Sequence, residues 1–417
     1  MNLKLLNALT AIGCIGLAQT ASADAIADWN EKALAHVLGR NLPPPPAERI
    51  MAMVHLAMFD AVNSIERHYR PYLVQLPASA GASREAAAAA AASAIIAGTD
   101  PLAQGEMKAT LAAYLASISD TSDKAEGIKL GEAVAAKILQ ARAEDGARAP
   151  DTYRPRTAAG VYVPTALTFA PQWPGVKPFA MASGSQFRPV PPVSLVSAEW
   201  AADYNEIREL GAKASAKRST RQLEDGRFWL AIGGNVYYPV VRSIAAAKKM
   251  STIDSARLFA LVAVARADTL IAVFDAKYHY NFWRPITAVR NGDIDENPAT
   301  ERDGAWQPID VTPMHPEYPC AHCSQASSMA SVLEAVIGSA DIPEVAITSP
   351  TAPGVTHRWT NLRAFVAEVS EARIWAGFHY RFSMRVGEEW AARSVSMSSR
   401  TSCNLPPWQH AEAEPMT

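Results

Sequence analysis

Lys277 and Arg284 stand seven residues apart in DAKYHYNFWRP (275–285). Seven residues are close to two helical turns, so both cations can emerge on one helix face. Pro285 disfavours α geometry at Arg284 and sets the arginine at or near a helix end. A helix C-terminus does not attract anions through its dipole. Anion affinity here therefore rests on side-chain charge, with the guanidinium able to hold two oxygens in its plane. For the pair alone, a solvated or salt-bridged helix end is the competing expectation.

A second segment, HPEYPCAHCS (315–324), precedes a helical run. Pro319 closes an irregular stretch, and Cys320 to Cys323 fall on the first turn of the helix that follows. Free backbone N–H groups there favour an anion, and His322 stands beside it for acid or base work. The plainer reading is that Cys320 or Ser324 only caps a helix. A third segment, EARIWAGFHYRFS (371–383), holds Arg373 and His379, which would diverge on a straight helix. Gly377 marks the break that lets both point into one cavity. A neutral imidazole is a good nucleophile towards phosphorus and a good ligand to an electrophilic metal.

Taken together, the three segments resemble the vanadium-dependent haloperoxidases and the type 2 phosphatidic acid phosphatases and bacterial acid phosphatases that share their site. The family pattern is Lys, six residues, Arg-Pro; then Pro-Ser-Gly-His; then Ser-Arg, three residues, Gly, one residue, His, three residues, Asp. Here it reads Lys277, Arg284 and Pro285; Pro319, Cys320, Ala321 and His322; then Ala372, Arg373, Gly377, His379 and Ser383. The Met51 to Ile65 helix and the belt WPGVKPFAMASGSQFRPVPP (173–192) look like the bacterial chloroperoxidase-like branch. The resemblance thus extends over most of the mature chain and implies an all-α fold of helical bundles.

The departures fall on supports of that chemistry. Cys320 stands where the family has a serine donating to the anion; a thiol is a weaker donor and a half-cystine is none. Ala321 replaces the glycine but keeps its N–H. Ser383 replaces the aspartate that orients the third-segment histidine, and a hydroxyl raises basicity less than a carboxylate.

The resemblance implies two chemistries for one pocket. In the first, vanadate is bound through vanadium to His379, and Lys277, Arg284, Arg373 and the Ala321 N–H hold its oxygens. Hydrogen peroxide is then activated with His322 managing protons, and a halide is oxidised. In the second, a periplasmic acid phosphatase, His379 forms a phosphohistidine and His322 protonates the leaving oxygen; phosphate occupies the same site. A third possibility is a catalytically impaired oxyanion-binding homologue. The haloperoxidase-like enzyme is the favoured expectation. His315 lies seven before His322, where family bromoperoxidases carry histidine and the fungal chloroperoxidase carries phenylalanine, which points to bromide or iodide ahead of chloride. The competing role for His315 is a hydrogen bond within its own turn.

The elements that must position these groups are helices. Periodic apolar patterns predict helices over 48–65, 84–99, 101–119, 122–143, 197–212, 219–232, 255–283, 324–337 and 361–398, the last interrupted. His55 and Asp60 fall in the first, with His55 read as a helix-packing residue. From 149 to 196 prolines and glycines recur among Tyr162, Phe169, Trp173, Phe179 and Phe187, describing a belt that packs onto something. Few segments alternate as strands, and no internal repeat is visible. The expected organisation is a signal peptide over 1–23 and one all-α domain over 24–417. That domain comprises N-terminal helices (24–148), the proline-rich belt (149–196) and a C-terminal bundle carrying the site (197–417).

Composition bounds the rest. The 417 residues carry 49% hydrophobic and 19% charged side chains, with a net charge of -2, which argues against a nucleic-acid surface. Lys4, the apolar run from Leu5 to Ala18 and Ala21-Ser22-Ala23 read as a secretory signal cleaved before Asp24, too short to span a bilayer. A lipidated Cys14 is the weaker alternative. The expected protein is exported, periplasmic or secreted, without a stable membrane span, and an oligomer is left open. Cys320, Cys323 and Cys403 then predict one disulfide and one free thiol. Either Cys320 pairs with Cys323, or one of them pairs with Cys403. The C-x-x-C spacing lacks the alternating strand–helix surroundings of a redox enzyme.

Overall fold

A computed structural model describes residues 24–164, 166–231 and 233–401, with side chains to 393. The expected signal segment, Cys14 and Cys403 lie outside the described residues. The described residues are helical apart from one hairpin and the connecting segments. Helices α1 (Ala25–Gly39), α2 (Pro44–Glu66), α3 (Arg84–Thr99), α4 (Gln104–Leu115) and α5 (Ser122–Ala141) form the N-terminal layer. The predicted 101–119 helix is a short 3-10 turn followed by α4, because Pro101 opens on an Asp100 cap.

In α3, Ala86 to Ala92 are all buried. A β-carbon on Gly131 of α5 would lie 2.2 Å from the Ala87 carbonyl, so this pair packs backbone to backbone. His55 is fully buried, bonded to Asn30 at 2.9 Å and stacked on Phe259. Burial lowers its pKa to about 3, so it is a neutral packing group, as its place on an apolar face predicts.

The belt runs without regular structure apart from Trp173–Gly175. It is strapped to the long α9 (Thr252–Tyr280) by two carboxylates. Asp268 accepts the N–H groups of Phe179, Ala180 and Met181, and Asp275 holds Arg188 through both oxygens. Between belt and α9 come α6 (Ala198–Leu210), α7 (Thr220–Phe228) and α8 (Gly234–Ala247). The predicted 219–232 helix therefore ends early, and α1 and α8 lie outside the expected elements, α8 because Pro239 interrupts its pattern.

After α9 follow α10 (Pro285–Arg290), α11 (Ala321–Ile337), the antiparallel strands β1 (Asp341–Ser349) and β2 (Ala352–Asn361), then α12 (Leu362–Trp375) and α13 (Arg381–Thr401). One hairpin among the described residues agrees with the expectation of few strands, though the sequence did not place it. The buried apolar positions of β1, Ile342, Val345 and Ile347, are too few and irregular to register as alternation. Against α9 pack α2 on one side and α11 on the other, with α12 and α13 closing over α11. No helix among the described residues is long and apolar enough to cross a membrane.

Candidate active site

The three segments converge at the end of α9. Asn281, in the left-handed region, terminates that helix four residues after Lys277. Arg284 is thus not on the α9 face; it is the extended N-cap of α10. This corrects the expectation of a shared helical face: the chain turns, and both cations still arrive at one place. On α11, Cys320 is the N-cap, so Ala321 and His322 occupy the first turn as expected. Arg373 lies in the last turn of α12 and His379 in the connection to α13. Gly377 makes the break with φ 78°. A side chain there would also meet the Gly211 carbonyl at 2.5 Å.

Lys277 is fully buried, and its ammonium donates to the Pro316, Glu317 and Pro319 carbonyls at 3.0, 2.6 and 2.5 Å. Its protons brace the 315–320 loop instead of standing free. Burial, with Arg284 and Arg373 nearby, pushes its pKa well below the ordinary lysine value. Arg284 donates to the carbonyls of His315 (2.8 Å) and Phe378 (3.0 Å). Arg373 donates to the Trp229 carbonyl at 2.6 Å, leaving its Nε without a partner. Burial lowers Arg284 to about 10 and Arg373 to about 9, so both stay charged at neutral pH.

The histidine tautomers follow from their neighbours. His379 Nδ1 lies 2.7 Å from Glu317 Oε1, while its Nε2 lies 3.3 Å from Arg284 Nη1. A guanidinium only donates, so Nε2 carries the lone pair and Nδ1–H donates to the carboxylate. Burial and the surrounding cations hold the ring neutral, well below its usual pKa. Glu317 thus fills the orienting role expected of Ser383. The serine, one turn into α13, instead faces the Glu317 carboxylate and favours its charged form. Burial raises Glu317 to about 7 despite Lys277 and Arg284.

His315 Nδ1 accepts from Arg284 Nη2 at 3.0 Å, which leaves the proton on Nε2. In that tautomer its 3.1 Å approach to the Pro316 carbonyl is a contact and not a hydrogen bond, because neither atom carries a proton. His322 is held neutral by burial, hydrogen-bonded to the Ala231 carbonyl, with Nε2 unpartnered.

A cavity of about 700 Å³ is lined by His315, Ala321, His322, Arg373 and His379, with Lys277, Arg284 and Glu317 behind its wall. Its polar lining includes Ala321, His322, Gln325, Arg373, His379 and Arg266, and its apolar lining Phe169, Leu270, Phe274, Met314 and Pro43 to Pro45. Arg373 Nε, Arg266 Nη1, His322 Nε2, Gln325 Oε1 and the Tyr237 hydroxyl, all on lining side chains, are buried without hydrogen-bond partners. Lys277, Arg284 and Arg373 face one nearby carboxylate, Glu317, since Glu48 is committed to Arg266 at 2.5 Å. Excess buried positive charge, orphaned donors and a helix N-terminus fit a compact, multiply charged oxyanion such as vanadate or phosphate.

Cys320 does not contribute a donor. It forms a disulfide with Cys323, both fully buried, and its sulfur accepts the Cys323 N–H. Putting serine back (Cys320→Ser with Cys323→Ala) is expected to tighten orthovanadate binding about 2–10-fold, the worth of one neutral hydrogen bond of about 0.5–1.5 kcal/mol. Calorimetric titration checks it; an unchanged or weaker Kd means the hydroxyl does not reach the anion.

Sequence reasoning missed Glu317, Arg266, Glu48 and Tyr237. Glu317 was available as the acid inside HPEYP, and Arg266 lies eleven before Lys277, three helical turns along the same face. Tyr237 and the Trp229 carbonyl carry no comparable signal.

Comparison with known proteins bears on the family likeness and the fold. The profile of the VCPO second helical-bundle domain matches residues 257–400, the span holding all three segments. A vanadium chloroperoxidase of Curvularia inaequalis is 31% identical over 181 residues, 36% of this chain and 29% of that protein, so the chain matches under a third of its length. A crystal structure described as the first bacterial vanadium-dependent iodoperoxidase superposes with TM-score 0.77 and 20% identity, covering 92% of this chain and 97% of that one. The holo form of a bacterial vanadium-dependent chloroperoxidase gives TM-score 0.67 at 16% identity, over 86% and 92% of the two chains.

Proposed function

We propose that this chain, which carries the vanadium haloperoxidase helical-bundle domain on the vanadium haloperoxidase fold, is a vanadate-dependent enzyme that oxidises a halide with hydrogen peroxide. The observation that carries the reading is the His379–Glu317 pair: a buried imidazole whose Nε2 lone pair is aimed among three cations. Vanadate would be held through His379 Nε2, by Arg373 Nε and Arg284, and by the Ala321 N–H. Lys277 adds charge through the loop it braces. When bound it supplies an electrophilic centre that activates peroxide towards a halide.

The chain's own residues do the remaining work. Glu317 keeps the proton on His379 Nδ1, so that Nε2 stays free to bind. His322, neutral and with Nε2 unpartnered in the cavity wall, can take a proton from an incoming peroxide and return it to the departing oxygen. Phe169 and Phe274 pack against the His315 ring in the cavity wall and keep water from that side of it. His315 Nε2–H is a neutral donor next to Arg284, a setting suited to a large, weakly hydrated halide; bromide or iodide is proposed ahead of chloride. The iodoperoxidase fold likeness is compatible with that preference. Export belongs to the same proposal. Asp24, the first described residue, already caps α1 by accepting the Ile26 N–H at 3.0 Å.

The test uses protein recovered from periplasm or medium, with Asp24 as its expected first residue, stripped of oxyanion. Added orthovanadate is expected to switch on bromide or iodide oxidation by peroxide. Hydrolysis of p-nitrophenyl phosphate that orthovanadate inhibits would replace this reading with a phosphatase. Vanadate binding with neither activity would leave an oxyanion-binding protein.

A further inference from the structure

We propose that Glu224, Asp225 and His357 form a second site, for a divalent transition-metal cation of the zinc class, outside the oxyanion cavity. The site lies where the last turn of α7 meets β2. His357 projects inward from β2 with its side chain 1% exposed, and Phe228 stacks flat on the ring at 3.9 Å.

The ring's tautomer is set by Glu368 on α12. The indole N–H groups of Trp229 and Trp359 donate to Glu368 Oε1 and Oε2, each at 3.0 Å. Both oxygens are therefore acceptors, and His357 Nδ1, 2.5 Å from Oε1, must be the donor. Nε2 is left buried, without a hydrogen-bond partner, and aimed at two more carboxylates. Asp225 Oδ1 is 3.5 Å away and Glu224 Oε1 4.0 Å, and the three ligand atoms lie within 4.8 Å of one another.

Those distances are long for hydrogen bonds. Bonds of about 2.0–2.2 Å at tetrahedral angles separate donor atoms by roughly 3.3–3.6 Å; the His357–Asp225 pair already stands at that spacing, and the exposed Glu224 has to close in by a few tenths of an ångström or more. A carboxylate behind the imidazole, as Glu368 is here, is the usual outer partner of a metal-binding histidine. The imidazole nitrogen favours zinc-like ions over calcium or magnesium. Glu224, 41% exposed, opens the site to solvent, where water completes the coordination. Arg221, 61% exposed, pairs with both acids and is free to swing aside.

The cation would pin the hairpin to α7. The same Glu368 holds Trp229, whose carbonyl receives Arg373 from the oxyanion cavity. The rival is a metal-free clamp in which His357 is an imidazolium between carboxylates.

Chelator-treated full-length protein titrated calorimetrically with Zn2+ decides between them. One equivalent is expected to bind wild type and the His379→Ala variant alike, raising Tm in both. Cobalt substitution is expected to give a visible absorption band. His357→Gln and Asp225→Asn should each weaken binding more than about 100-fold, beyond the 10–100-fold typical of an outer-shell change. Glu224→Gln, at the exposed edge and safe for folding, should weaken it measurably. No stoichiometric uptake by wild type, uptake unchanged in Glu224→Gln and Asp225→Asn, or uptake abolished by His379→Ala would each overturn the site.

Discussion

Orthovanadate-dependent halide oxidation is expected to fall by at least about 10^3-fold in His379→Ala, with thermal stability little changed. Losing one donor to a transition-state charge costs about 10^2–10^3 in rate, and His379 is proposed to do more than donate, since its Nε2 lone pair faces Arg284. The residual cations would still collect an oxyanion, so vanadate affinity should drop less than turnover. Steady-state assay beside calorimetric titration separates the two. Activity within tenfold of wild type would remove His379 from the centre of the site. Loss of binding and turnover together, with Tm intact, would make it chiefly an anchor.

Glu317→Gln is expected to lower turnover about 10–100-fold and to erase the acid limb of the pH profile. Burial raises Glu317 from the ordinary glutamate value to about 7. Above that pH it is a carboxylate and holds the proton on His379 Nδ1. As pH falls through about 7 it becomes protonated and donates towards Nδ1, moving the ring proton to Nε2. There it confronts the N–H of Arg284, and the lone pair needed for binding is lost. Wild-type activity should therefore rise through about pH 7. Glutamine, whose amide oxygen can still accept from Nδ1, should give a lower but flat profile across that window.

The linkage to stability has the opposite slope. A carboxyl raised in the folded state binds more protons folded than unfolded between about 4.5 and 7, so its contribution to stability declines as pH rises through that window. Glu317→Gln removes this decline, and chemical denaturation at pH 5 and pH 8 reads it. A variant that loses activity yet keeps the limb near 7 would show that another group titrates, and Glu317 would not be the positioning residue.

Much of the machinery was legible in the residues. Lys277, Arg284, His322, Arg373 and His379 announced themselves because charge and imidazole in short, spaced segments are local properties of the chain. Pro285 opens α10, Pro319 leads into α11 and Gly377 separates α12 from α13, because proline and a positive φ act on the backbone at their own positions. Helix placement from 48 to 143 followed for the same reason: periodic burial and propensity are short-range.

Only the tertiary structure assigned partners. It committed Lys277 to three carbonyls, closed Cys320 onto Cys323, and set Glu317, not Ser383, behind His379. It also brought Glu224 and Asp225 to His357, more than a hundred residues along the chain. Which buried donor meets which acceptor depends on where α9, α11 and α13 cross, and on desolvation that penalises every polar atom left alone. The sequence by itself determined that cations and imidazoles recur in three short segments of a helical chain; the packing of distant segments decided which carboxylate stands behind His379.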